Sequence, residues 1–196
     1  MDNEVVFRIL FALIFVSYFG ISIYFRRKAD RAGDPVALKQ EGWMALPLRL
    51  GGLIFLAMAL LYVFYPRAVI WATLPLPEWA RWVGAGLAAL AVSSSYWVAS
   101  SLGNNITSTV STRQHAQLVT HGPYRYVRHP LYTVGLVVFV AMSLLAAIWY
   151  FILMGVLAFT LLAIRAGKEE AELIDRFGDD YRAYMRRAGR FFPRLF

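Results

Sequence analysis

Long apolar runs separated by short charged stretches dominate this chain. Residues 5–25 carry one charge, Arg8, near the start. At ~1.5 Å per residue, a helix of that length reaches ~31 Å, enough to cross a bilayer. Asp2 and Glu4 precede the run, Arg26-Arg27-Lys28 follows it, and no small-residue cleavage site is present. The pattern therefore predicts an anchoring helix rather than a removable leader. Residues 46–65 predict a second span, entered through Pro47 and Arg49 and ended at Pro66. Residues 73–79, with Pro75 and Pro77, predict a short external turn with Trp71 and Trp79 at the interface. Residues 82–102 predict a third span. Its small residues, Gly84, Gly86, Ser93, Ser94 and Ser95, are read as helix-packing positions.

Residues 103–131 are polar and leave the apolar layer. Residues 133–164 then run without a charge. As one helix that stretch would be ~48 Å long, too long for a ~30 Å hydrocarbon core. Two spans of ~16 residues are slightly short, which tilt or local thinning absorbs. A hairpin is favoured because it returns Arg165 to the side where His129 sits. The expected fold is thus an all-α integral membrane protein of about five transmembrane helices, the last two a short hairpin. It forms one domain over residues 1–196, with three N-terminal spans in 1–102 and a polar-loop half in 103–196.

Composition sharpens this picture. The chain is 59% hydrophobic, its mean hydropathy is +0.53, and only 16% of residues are charged. The charged share lies well below the usual quarter, so a soluble core of this size would not hide the apolar surface. Net charge is +8, but the basic residues gather at the ends of apolar runs instead of forming a nucleic-acid stripe. With the N-terminus outside and five spans, only Arg8, Arg67 and Arg81 of the 20 Lys and Arg fall outside. That asymmetry predicts a cytoplasmic C-terminus. Cysteine is absent, and three histidines without an HExxH pattern give no reason to expect a metal.

Candidate chemistry sits in two polar blocks. The first is Gly122-Pro123-Tyr124-Arg125-Tyr126-Val127-Arg128-His129-Pro130-Leu131-Tyr132. The second holds Arg165, Glu169, Glu170, Phe177-Gly178, Tyr181, Tyr184 and Pro193. In order and spacing, from about Leu118 to Pro193, the pair resembles the membrane methyltransferases of the isoprenylcysteine carboxyl methyltransferase and phospholipid methyltransferase superfamily. The resemblance implies that the blocks fold together, on the cytoplasmic side, around S-adenosylmethionine. It implies cofactor contacts from Leu118, Val119, Tyr124, His129, Pro130, Leu131, Tyr132 and Glu169. It places Arg165 where the carboxyl methyltransferases have an arginine facing the acceptor carboxylate. Phe177-Gly178, Tyr181 and Pro193 match a structural tail pattern. Three positions depart from the family pattern. Val134 stands where a glycine is frequent, with Gly135 next to it. Thr109 stands in place of a glutamine, and Ala116 in place of a histidine.

The residue types suit that cofactor, which has a sulfonium, a doubly charged amino-acid end, a ribose diol and a flat base. The implied activity is transfer of its methyl group, by direct in-line displacement, to a lipophilic or lipidated acceptor. A carboxylate acceptor is favoured because it is already ionised and needs only position and exclusion of water. A phospholipid amine or a small thiol are alternative acceptors. A nicotinamide-dependent reductase and a non-catalytic membrane protein are the other open readings. Plainer roles also exist. Arg165, Glu169, Glu172 and Arg176 have the spacing of a salt-bridged helix face. Arg125 and Arg128 fit positive-inside residues. The arginines from Arg182 to Arg194, beside Phe191 and Phe192, read as a basic tail lying on anionic membrane lipid.

Overall fold

A computed structural model describes residues 3–32, 45–103 and 117–194. Thr109 and Ala116, two of the departures noted above, lie outside the described residues, as does much of the 103–117 loop. Among the described residues six α-helices form: α1 (Asn3–Ala32), α2 (Ala45–Phe64), α3 (Glu78–Leu102), α4 (Pro130–Ala146), α5 (Trp149–Phe177) and α6 (Asp179–Arg187). Short 3₁₀ helices occupy Pro66–Ala72 and Gly122–Arg125. Among the described residues, extended pairing is limited to two isolated bridges, Thr73 with Ile148 and Val127 with Gly189.

Helices α1, α2, α3 and α5 are long and apolar enough to cross a membrane, and α4 is a shorter apolar helix of 17 residues. The molecule is thus an all-helical, multi-pass membrane protein. The expected hairpin is present but unequal. Helix α4 spans ~26 Å, whereas α5 runs unbroken for 29 residues, ~44 Å, and carries Arg165, Glu169 and Glu170 on its last turns. The expectation of two short helices fails for α5, because nothing in its sequence stops the helix before Gly178. There φ is +56° and the amide bonds back to the Ile174 carbonyl. The expected turn over 73–79 is shorter too: 66–72 is 3₁₀ helix and α3 begins at Glu78.

The hairpin turn is a Schellman motif. The Ile148 amide donates to the Ser143 carbonyl (3.0 Å) and the Ala147 amide to the Leu144 carbonyl (3.2 Å). Ala147 takes the left-handed φ of +54° that such a motif demands. The Ser143 hydroxyl adds a bond to the Ile148 carbonyl (2.7 Å).

Phe7, Phe11, Phe55, Tyr62, Met142 and Phe151 centre the main core, with ring pairs such as Phe11–Phe151 at 5.0 Å. Helices α3 and α4 approach closely at Gly84, where a Cβ would lie 2.6 Å from the Leu145 backbone nitrogen. Gly84 is therefore a packing position as expected, whereas Gly86 faces open space.

The two ends of the bundle differ. At one end Arg81, buried at 7% exposure, donates to the Leu145 carbonyl (3.0 Å) and the Tyr62 hydroxyl (3.3 Å) and pairs with Glu4. Its guanidinium lies 4.0 Å from the Phe7 ring centroid. One arginine thus fastens α1, α2, α3 and the end of α4. The other end holds the start of α4, the last turns of α5, and α6. It gathers both polar blocks.

Candidate active site

The first block is a loop held from both sides. Gly122 has φ of +58°, and a Cβ there would lie 2.8 Å from the Ser101 hydroxyl at the end of α3. The 3₁₀ turn follows, then Pro130, whose missing amide suits the first position of α4. Residues 185–191, after and at the end of α6, lie along this loop as a strap. The Arg128 amide donates to the Gly189 carbonyl (2.8 Å), the His129 amide to the Arg190 carbonyl (3.0 Å), and the Gly189 amide to the Tyr126 carbonyl (3.0 Å). The Thr133 hydroxyl donates to the Phe191 carbonyl (2.6 Å). Gly189 makes the turn possible, since a Cβ there would sit 1.8 Å from the Phe192 carbonyl oxygen.

Beneath the strap the two blocks meet in an ionic cluster. The Tyr132 hydroxyl lies 2.8 and 2.7 Å from the two Glu169 carboxylate oxygens, sharing one proton between them. Arg165 Nε donates to Glu169 (2.8 Å), and His129 Nδ1 lies 3.6 Å away from it. Glu170 accepts from Arg128 Nε (2.9 Å) and sits 3.2 Å from His129 Nε2. The side chains of Arg128, His129 and Glu170 are each below a tenth exposed. Arg128 also donates to the carbonyls of Met185 (3.2 Å) and Ala188 (2.6 Å), so one guanidinium joins the loop, α5 and the strap. Arg190 Nε comes within 3.3 Å of Glu170, but its N–H is misaligned. It is a buried donor without a hydrogen bond among the described residues. The His129 ring stacks on Tyr132 with centroids 5.3 Å apart and leans on Phe191 at 5.8 Å.

The α6 residues behind the loop are tyrosines that stay protonated. Burial pushes the Tyr184 hydroxyl up to about 12 against the opposing pull of Arg128, and it donates to the Tyr124 carbonyl (2.6 Å). Burial likewise raises Tyr124 and Tyr181. Tyr181, Tyr184 and Ala188 form a small core that takes in Leu118.

Of the residues singled out in the sequence, the fold brings together His129, Tyr132, Arg165 and Glu169. Tyr124 is buried beside them and is tied by its carbonyl to α6. Pro130 is buried at the start of α4, Leu131 is half-buried beside it, and Leu118 and Val119 lie half-buried before the loop. These last four make no side-chain polar contact with the cluster. Gly135 lies against α1, where a Cβ would be 3.1 Å from the Tyr18 hydroxyl. The salt-bridged face is real for Arg165 and Glu169, yet Glu169 also serves Tyr132. Three further participants stood outside the assigned contacts, though Arg128 and Glu170 belong to the two polar blocks. Glu170 is central, Arg128 is a buried strut rather than a positive-inside residue, and Arg190 leaves the basic tail to enter the cluster. Glu170 beside Glu169 and Arg128 beside His129 were visible signals. Arg190 had none, because its position depends on the turn at Gly189.

A sequence profile of the phospholipid methyltransferase family matches residues 79–180. The nickel-cobalt-cadmium resistance protein NccN of Alcaligenes xylosoxydans xylosoxydans is 35% identical over 86 residues. That match covers 44% of this chain and 40% of NccN, so less than half of either is compared. The structure of a eukaryotic intramembrane Ras methyltransferase, isoprenylcysteine carboxyl methyltransferase, aligns over 94% of this chain and 67% of its own. Its TM-score is 0.56 at 18% identity, a likeness of fold.

Proposed function

The chain belongs to the phospholipid methyltransferase family, and we propose that it is an S-adenosylmethionine-dependent membrane enzyme that methylates a lipophilic acceptor. The observation that carries this reading is the convergence of both polar blocks at one end of the bundle, around a buried arginine donor left without a hydrogen bond. A ligand with an α-amino-acid end needs carboxylates for its ammonium and a guanidinium for its carboxylate. Glu169 and Glu170 supply the first and Arg190 the second, so the residues fit the cofactor. The cofactor would supply a methyl group activated by a sulfonium.

The chain's own residues bind, orient and exclude water. Glu169, held by Tyr132, and His129, held by Glu170, would meet the amino-acid end. The loop from Tyr124 through Pro130 and Leu131, together with Leu118 and Val119, would line the rest through backbone and apolar surface. Arg165 is assigned to the acceptor: its planar fork can orient a carboxylate without giving up a proton. The acceptor would then be a carboxylate on a lipidated molecule. The family's own description favours a second acceptor class, a phospholipid, whose amine would have to lose a proton to a nearby base. The cluster end is assigned to the cytoplasm on the bias of Lys and Arg.

Equilibrium binding of S-adenosylmethionine to detergent-purified protein tests the reading. Glu169→Ala and His129→Ala are each expected to weaken binding about tenfold or more, since each removes a buried polar partner. Wild-type affinity in both folded variants would sink the assignment.

A further inference from the structure

Helix α1 carries a second feature, separate from the ionic cluster. A cavity of about 560 Å³ lies along one side of its last turns, lined by Gly20, Ile23, Tyr24, Arg27, Lys28 and Arg31. The spacing is that of a single helical stripe, and the stripe is graded. It begins with a glycine, passes through an apolar and an aromatic side chain, and ends in three cations. Ile23 and Tyr24 are 50% and 59% exposed, and all six residues are open to the surroundings. The buried side of the helix is another one: Ile21, Phe25 and Ala29 pack there against Ala99 and Leu102 of α3.

We propose that this stripe is a binding groove for one anionic phospholipid. Its acyl chain would lie in the notch over Gly20 and along Ile23, and its phosphoryl headgroup among Arg27, Lys28 and Arg31. The grading supports the assignment. Apolar surface lies deeper in the span and positive charge at its end, which is the order of a lipid's own parts. Among the described lining residues no carboxylate accompanies the three cations. Gly20 creates the notch, since among the described residues no atom lies within 4 Å of where its Cβ would be. The Tyr24 ring and hydroxyl suit the glycerol-ester level between chain and headgroup.

The test is titration of a fluorescent phosphatidylglycerol into the full chain in neutral detergent, with labelled phosphatidylcholine as the uncharged counterpart. The combined variant Arg27→Gln, Lys28→Gln, Arg31→Gln should weaken phosphatidylglycerol binding about tenfold or more. Gly20→Leu fills the notch without changing charge or pressing on any described neighbour, and should weaken it severalfold. Arg182→Gln with Arg186→Gln, on the exposed side of α6, should leave it within about twofold, because general attraction of a basic tail to lipid is not the cause. Equal binding of phosphatidylcholine, loss of binding in the α6 variant as large as in the α1 variant, or wild-type binding by Gly20→Leu would each overturn the proposal. None of these readouts uses methyl transfer or S-adenosylmethionine, so failure here leaves the proposed enzyme untouched, and the reverse holds as well.

Discussion

At the scale of single residues, adjacent glutamates on α5 have different duties. Glu169 and Glu170 differ by one position, so they leave the helix ~100° apart. Glu169 meets Tyr132 and Arg165, while Glu170 meets Arg128, His129 and Arg190. Removing the Glu170 charge leaves the buried Arg128 guanidinium without its anion. Glu170→Gln is therefore expected to cost about 3 kcal/mol of stability, seen as a lower midpoint of thermal unfolding in detergent. It should weaken cofactor binding as a consequence. Arg165 has the opposite expectation. Arg165→Lys keeps the charge beside Glu169 but loses the fork, so methyl transfer should fall while cofactor affinity stays within about twofold. Measuring both quantities on one preparation decides the point. A joint fall would assign Arg165 to the cofactor, and no change in either would leave it as a helix-surface ion pair. The pairing of Arg165 with Glu169 could be anticipated from their four-residue spacing. Arg190 could not, because what brings it inward is a turn whose feasibility rests on a hydrogen atom at position 189.

At the scale of elements, the α4–α5 turn has no glycine or proline to announce it. Apolar length alone demanded a break within residues 133–164, and it falls at Ala147, a residue whose side chain disfavours the φ it adopts. Ala147→Gly should then raise stability by about 0.5–1 kcal/mol, the left-handed strain outweighing the entropy a glycine adds to the unfolded chain. Thermal unfolding of the purified variant checks this, and an unchanged or lower midpoint would contradict it. Gly84→Ala should act the other way. Its methyl would press on the backbone of α4, which has no side-chain freedom to yield, at a cost of about 1–3 kcal/mol. The order of the apolar helices was legible because the bilayer sets a length scale that hydropathy reports directly. The reach of α5 beyond that scale was less so, since an apolar run ends where charge begins, whereas a helix ends only where its backbone is capped.

At the scale of the whole molecule, the alternation of the helices puts residues 73–77 and the ionic cluster at opposite ends. A chain without cysteine makes this simple to test. A single cysteine introduced at Leu76 and another at Arg194 should react with a membrane-impermeant maleimide from opposite faces of sealed vesicles. Labelling of both from one face would undo the arrangement of spans. The clasp at the far end from the cluster also bears on how relatives of this chain diverge. Arg81 takes two of its partners, Glu4 and Tyr62, through side chains and a third, Leu145, through a main-chain carbonyl. A carbonyl survives any substitution, so position 145 is free to drift among apolar residues. Positions 4, 62 and 81 are not free in that way: losing Glu4 leaves the buried Arg81 without its anion, and losing Arg81 leaves the buried Tyr62 hydroxyl without its donor, whereas the Glu4 side chain, 60% exposed, needs no partner. In lineages that keep this fold, an arginine at position 81 should be accompanied by an acid at position 4, whereas an acid at position 4 can persist where the arginine is gone.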